Sequence, residues 1–207
     1  MKARERLPTV FVVDDDAAAR GSLRMLLKSL GLHAVACDSG AAFLAAYDPE
    51  QPGCLLLDVR MPGMSGPELQ QQLNARGAIL PVIFITGHGD VAMAVEAMRH
   101  GASDFLQKPF RDQELLDRVQ RALKRDAAHR AELARLHEIR DRIESLTPRE
   151  REVLALLSRG SPNKVMAHEL GISQRTIEIH RARIMEKMNA PSLAQLVRMT
   201  AAAPGAA

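Results

Sequence analysis

Val10-Phe11-Val12-Val13-Asp14-Asp15-Asp16 is an apolar run of strand length that ends on three carboxylates, and Cys54-Leu55-Leu56-Leu57-Asp58 ends the same way. Unbroken apolar runs of this kind read as strands buried on both faces. Such runs occupy Thr9–Val13, His33–Ala36, Cys54–Leu57, Val82–Thr86 and Asp104–Leu106. Between and after them, apolar residues recur at helical spacing near Ala18–Leu30, Gly40–Ala46, Pro67–Asn74, Val91–His100 and Asp112–Lys124. Gly31, Gly77 and Gly101 stand where helices should stop. Five strands alternating with five helices predict an α/β domain, a doubly wound five-stranded parallel sheet covered on both faces.

Beyond about residue 111 no strand pattern returns. Leu116, Val119 and Leu123, then Leu133, Leu136, Ile139, Ile143 and Leu146, recur every three or four residues. This fits one long helix, or a domain helix and a linker helix separated by a break near Asp126–His129. Thr147-Pro148-Arg149-Glu150 then combines a capping hydroxyl, a proline at the first helical position and a glutamate three residues after the cap. Helices follow at Pro148–Ser158, Asn163–Glu169, Gln174–Asn189 and Ser192–Met199, a second, all-α four-helix domain. The expected organisation is a first domain at 1–124, a helical linker at 125–142, a helical domain at 143–200 and a disordered tail at 201–207.

The composition, 46% apolar and 26% charged, is that of a globular chain. No stretch approaches the roughly 20 apolar residues of a membrane span, and no secretory cleavage pattern is present. Cys37 and Cys54 have no metal or redox spacing and read as core side chains of a reduced, cytoplasmic protein. Net charge is +3, divided as −1 over residues 1–124 and +4 over the remainder. The basic excess favours a polyanionic partner for the C-terminal domain.

In an open α/β sheet, ligands bind beyond the carboxyl ends of the strands. Asp14 and Asp15 end the first strand, Asp58 the third, Thr86 the fourth, and Lys108 follows the fifth. Packed carboxylates need a counter-charge, and a hard divalent cation with oxygen ligands, Mg²⁺, is the natural one. A nucleotide-binding module would want a glycine-rich loop where Asp14-Asp15-Asp16-Ala17 stands. A haloacid-type phosphatase, with its nucleophile at Asp14 and a second acid at Asp16, is the rival reading.

These positions resemble the receiver domains of two-component response regulators, over about residues 7–125. The resemblance implies that Asp58 is the phosphoacceptor and that Asp14, Asp15, Asp58 and the backbone carbonyl of Arg60 bind Mg²⁺. It makes Thr86 the switch hydroxyl, Lys108 the phosphate-contacting lysine and Phe105 the aromatic switch residue, although a core role alone would also explain Phe105. Pro109 matches a residue usually preceded by a cis bond. Arg60 and His88 border the expected route of water to the phosphoryl group, with Arg60 expected to shield it. Such a receiver is not an enzyme beyond its own phosphotransfer and dephosphorylation.

Residues 161–188 read as a short helix, a turn at Gly171 and a longer helix capped by Ser173, the geometry of a helix-turn-helix. Ile177, His180, Ile184 and Met188 share the inward face, with His180 expected to be a satisfied, partly buried histidine. Periodicity alone also fits a small protein-interaction domain. However, Leu146-Thr147-Pro148-Arg149-Glu150-Arg151-Glu152-Val153-Leu154 and the residues from Asn163 to Met188 resemble the LuxR-type DNA-binding domain, and the whole chain resembles its FixJ-like branch. That likeness places Gln174–Asn189 in the major groove and uses Ser192–Met199 for dimerisation. Lys164, Arg175, Arg181, Arg183 and Lys187 are then expected at phosphates, with Thr176, Glu178, Ile179 and Ala182 also at the DNA. Glu178 departs from the lysine many LuxR-type helices carry there, and an acid accepts from cytosine N4. The expected function is a regulator phosphorylated by a sensor histidine kinase. It would bind double-stranded promoter DNA as a phosphorylation-dependent homodimer and regulate transcription with RNA polymerase, as an activator by the FixJ-like resemblance though the sequence alone leaves repression open, with no membrane partner.

Overall fold

The computed structural model describes residues 6–87, 95–96 and 98–202. Half of the expected helix Val91–His100, together with His88, lies outside the described residues. The chain divides into two compact units, Met1–Arg130 and Ala131–Ala207.

In the first unit β1 (Thr9–Val13), β2 (His33–Cys37), β3 (Gly53–Asp58), β4 (Val82–Thr86) and β5 (Asp104–Gln107) form one sheet in the order β2-β1-β3-β4-β5. Every pairing is parallel. The period of two along each strand sends alternate side chains to opposite faces. Val10, Val12, Cys54, Leu56, Ile83 and Ile85 join one apolar layer with Leu23 and Leu27. Phe11, Val13, Leu55, Leu57, Val82 and Phe84 join the other with Phe43, Leu69 and Leu73. Unbroken apolar strands are required because neither face meets water. Cys54 is fully buried, and burial pushes its thiol up to about 12.

Among the described residues, α1 (Ala17–Ser29), α2 (Gly40–Ala46) and α3 (Gly66–Ala75) pack on the sheet, as do Leu115, Val119 and Ala122 of the helix that follows β5. Asp16 caps α1 by accepting from the Ala18 and Ala19 amides. Ser65 and Glu68 make a reciprocal capping box at the start of α3. At Gly66 a Cβ would stand 2.4 Å from the Asp58 carbonyl oxygen, so only glycine lets α3 begin this close to β3. The next helix in the numbering, α4 (Asp112–Glu144), is continuous for 33 residues, with no break at Asp126–His129.

Asp126 of α4 is 2% exposed. It accepts from the Gly53 amide at 2.9 Å and from Arg130 Nε, while Arg130 Nη2 donates to the Gln51 carbonyl at 3.0 Å. The expected linker thus begins with residues tied to the entry of β3. In the second unit Ile139, Ile143 and Leu146 join a core with α5 (Pro148–Ser158), α6 (Asn163–Leu170), α7 (Gln174–Lys187) and α8 (Leu193–Ala202). Helix α8 runs two residues into the expected tail, and residues 203–207 are not among those described.

Removing one partner of a buried ion pair leaves the other charge and its hydrogen-bond donors uncompensated. Asp126→Ala should therefore destabilise the first unit by about 3 kcal/mol, read by urea denaturation. A loss within about 0.5 kcal/mol would show that the anchor contributes nothing beyond an ordinary surface pair.

Candidate phosphoacceptor site and DNA-binding helices

In the order β2-β1-β3-β4-β5 the chain reverses direction of progress between β1 and β3, and ligands bind at such a switch point. Asp14 follows β1 and Asp58 ends β3, so the two carboxylates flank it. Lys108, just after β5, places its Nζ 3.0 Å from Asp14 Oδ2 and 3.0 Å from Asp58 Oδ1. Asp14 is 2% exposed, and its second oxygen accepts from the Asp16 amide at 2.9 Å. Asp58 is half-buried, and its second oxygen accepts from the Arg60 amide at 2.8 Å. Arg20 of α1 donates to the Asp14 carbonyl at 2.7 Å. Its place six residues after Asp14 gives no sequence signal for this contact.

Burial pushes the Asp58 carboxyl above its ordinary value, against the hydrogen bond and charge of Lys108 that pull it down. Burial alone would lower the Lys108 ammonium, but the hydrogen bonds from it to Asp14 and Asp58 win and hold it above its ordinary value. Thr86 is 2% exposed, and its hydroxyl donates to the Gly87 carbonyl at 3.2 Å. Phe105 is half-buried against the layer that contains Phe84. The Lys108–Pro109 peptide is cis. Arg60 is exposed beside Asp58.

Asp15 is exposed, and among the described residues no three acids, histidines or cysteines converge into a metal-ready cluster. The chemistry of the donor set still suits a hard cation. Asp14 and Asp58 are held a single ammonium apart, and each of their oxygens retains a lone pair. Asp16, by contrast, is exposed and serves as the α1 cap.

The second unit carries the helix-turn-helix. Gly171 closes α6 in the left-handed region at φ 64°, and the Ser173 hydroxyl caps α7 through the Thr176 amide. Ile177, Ile184 and Met188 are fully buried. His180 corrects the expectation: its Nδ1 is buried without a hydrogen-bond partner among the described residues.

Lys164, Arg175, Glu178, Ile179, Ala182 and Arg183 are exposed. Thr176 is half-buried, with its hydroxyl 2.8 Å from that of Ser173. Two expected phosphate contacts have partners inside the unit. Arg181 donates to Asn163 Oδ1, and Lys187 Nζ lies 2.7 Å from Glu150 Oε2. Glu150, 2% exposed, also accepts from the Thr147 amide at 2.9 Å, so one carboxylate serves both the capping box and the end of α7.

Residues 10–120 match the family model described as response regulator receiver domain, and residues 144–200 match that of bacterial regulatory proteins, luxR family. The chain belongs to the two-component response regulators that join a receiver to a LuxR-type DNA-binding domain. It is 52% identical to the transcriptional regulatory protein FixJ of Azorhizobium caulinodans over 94% of this chain and 92% of that protein. It is 44% identical to the response regulator protein TodT of Pseudomonas putida, over 95% of this chain and 86% of that one. A low-resolution structure of the response regulator StyR superposes with a TM-score of 0.85 at 49% identity, covering 93% of this chain and 98% of that one. As a two-component regulator the protein works with a sensor histidine kinase and with DNA. It is not an enzyme in the metabolic sense. Among the described residues no helix is long and apolar enough to cross a membrane.

Burial by itself pushes the Glu150 carboxyl up, but the hydrogen bonds from Lys187 and Thr147 outweigh it and hold the carboxyl below its ordinary value. A depressed carboxylate stabilises the fold above its unfolded pKa and loses that contribution as pH falls through the folded value. The C-terminal unit should therefore lose stability below about pH 4.3, and Glu150→Gln should flatten that dependence. Lys187→Met should destabilise by about 2 kcal/mol at neutral pH, less than for a fully buried pair because the lysine side chain is 37% exposed. Thermal unfolding followed by circular dichroism across pH reads both.

Proposed function

We propose that Asp58 accepts a phosphoryl group from a phosphohistidine of the sensor kinase and that the phosphorylated chain dimerises on promoter DNA to activate transcription with RNA polymerase. The observation that carries this reading is the Lys108 ammonium set 3.0 Å from both Asp14 and Asp58 on a chain that also holds a helix-turn-helix. The domain limits that go with it are a receiver at 1–124, a helical linker at 125–142 and a DNA-binding domain at 143–200.

The chemistry follows from the groups present. An Asp58 oxygen attacks phosphorus, the bond from phosphorus to the kinase imidazole nitrogen breaks, and that nitrogen keeps the electron pair. Lys108 turns its ammonium onto the phosphoryl oxygens and neutralises charge gathering there, which is most of what phosphoryl transfer asks of a protein. Asp14, Asp15, Asp58 and the Arg60 carbonyl oxygen would hold Mg²⁺, the ion receivers use, which supplies further positive charge against those oxygens. The Thr86 hydroxyl then has an anionic acceptor in place of the Gly87 carbonyl, and Phe105 turns into the space it leaves. Arg60 lies across the acyl phosphate and obstructs the line of an attacking water. His88, the other residue expected beside this route, is outside the described residues. In the C-terminal unit Lys164, Arg175 and Arg183 contact phosphates, which position the domain without reading sequence.

Incubation with acetyl phosphate and Mg²⁺ should add the mass of one phosphoryl group and raise affinity for a selected duplex in gel-shift assays. Asp58→Asn should abolish the mass gain. A phosphoryl group found on Asp14 would replace the receiver reading with the phosphatase one.

Arg183→Ala should weaken binding to the selected duplex and to unrelated DNA by similar factors and reduce the slope of log affinity against log salt by about 1. Loss of specific binding alone would instead make Arg183 a base reader.

A further inference from the structure

Burial of Ile177, Ile184 and Met188 fixes which side of α7 faces outward. Glu178 sits on that outward side between Arg175 and Arg183, all three exposed. Its carboxylate has no ion pair or hydrogen bond among the described residues. The cation three residues on, Arg181, is taken by Asn163, and Lys187 is taken by Glu150. The exposed face of a helix that meets DNA thus carries an uncompensated negative charge among its cations.

Such a charge repels the phosphates of any duplex, so it lowers affinity unless it meets a hydrogen-bond donor. The major groove offers two kinds of donor, the N4 amino group of cytosine and the N6 amino group of adenine. On adenine the N7 acceptor lies beside N6 and turns a lone pair toward an approaching carboxylate. Cytosine has no major-groove acceptor of its own, so a carboxylate meets its amino group without that opposition. Guanine and thymine present acceptors only, apart from the thymine methyl group.

We infer that Glu178 is a specificity-determining residue that accepts a hydrogen bond from cytosine N4 in the major groove. The inference rests on α7 being the recognition helix. Opposite cytosine the carboxylate gains a charge-assisted hydrogen bond. Opposite any other base it remains an unpaired anion near acceptors and phosphates, so the residue adds selectivity and subtracts general affinity.

The test uses the full-length protein, treated with acetyl phosphate and Mg²⁺, to select binding sites from a pool of random duplexes. Parent, Glu178→Ala and Glu178→Gln forms are compared, with far-UV circular dichroism to confirm that this exposed position leaves the fold unchanged. The parent's selected half-site should hold a cytosine at one position. Glu178→Ala should lose about tenfold discrimination at that position alone, while its affinity for unrelated duplex holds or rises. Glu178→Gln should move the preference there to adenine, whose N6 and N7 match the amide. If Glu178→Ala selects the parent's sites unchanged, whatever its affinity, Glu178 reads no base and the inference is overturned. A parent that enriches no sequence at all would instead remove the recognition-helix reading beneath it.

Discussion

The Lys108 ammonium, 3.0 Å from Asp14 and from Asp58, is the interaction on which the receiver site depends. It draws together the ends of β1, β3 and β5, three strands whose C-termini would otherwise set two carboxylates side by side without compensation. Both carboxylates are shielded from water, and a shielded pair of like charges is expensive. One cation shared between them relieves that repulsion and also fixes where each oxygen points. The remaining oxygens are oriented by main-chain amides of Asp16 and Arg60, so each carboxylate is held at both ends.

The C-terminal unit solves a similar problem with Glu150 and Lys187. A capping box needs a glutamate at the third position of α5, and the packing of α5 against α7 buries it. Left alone, that carboxylate would be a buried charge. Lys187, at the last position of α7, supplies the counter-charge and fastens the end of that helix to the start of the unit's first full helix. Arg181 and Lys187, two cations expected at phosphates, are thus engaged in holding α7 in place. The helix gains a fixed orientation, and on the proposed reading it gives up part of its sequence-independent attraction for phosphates in exchange.

The sheet was legible because strands buried on both faces have to be apolar throughout, and the site was legible because its acids stand at strand ends. The long-range uses of charge were not. Asp126 stands in the stretch Asp126–His129, where the sequence left a break in the helix open, and Arg130 follows it by one helical turn. Their decisive partner is the Gly53 amide, 73 residues away, and no periodicity announces a main-chain donor. Lys187 read as a phosphate contact for a related reason. Its charge is visible in sequence, whereas the burial of Glu150 is a product of packing. Arg181 follows the same logic through Asn163, a neutral partner with no charge pattern to betray it.

The receiver also shows where a phosphorylation signal can and cannot travel. Thr86 belongs to the β4–β5 ladder: its register partner is Gln107, and its carbonyl accepts from the Lys108 amide at 2.8 Å. Phe105 is held in the same ladder opposite Phe84. Shifting either backbone would break parallel-strand hydrogen bonds inside a sheet covered on both faces, at a cost of about 1 kcal/mol or more per bond lost. The side chains are not so bound. The Thr86 hydroxyl donates to the adjacent Gly87 carbonyl, a neutral acceptor at 3.2 Å, and a phosphoryl oxygen is a stronger one. Lys108 divides one ammonium between two carboxylates and follows whichever becomes more negative. On the proposed reading, a doubly charged group on Asp58 therefore changes the aim of two side chains and the room available to a third, while the ladder stays intact. On that reading the signal leaves as side-chain rotation at the β4–β5 edge, a movement that keeps the ladder's hydrogen bonds in place.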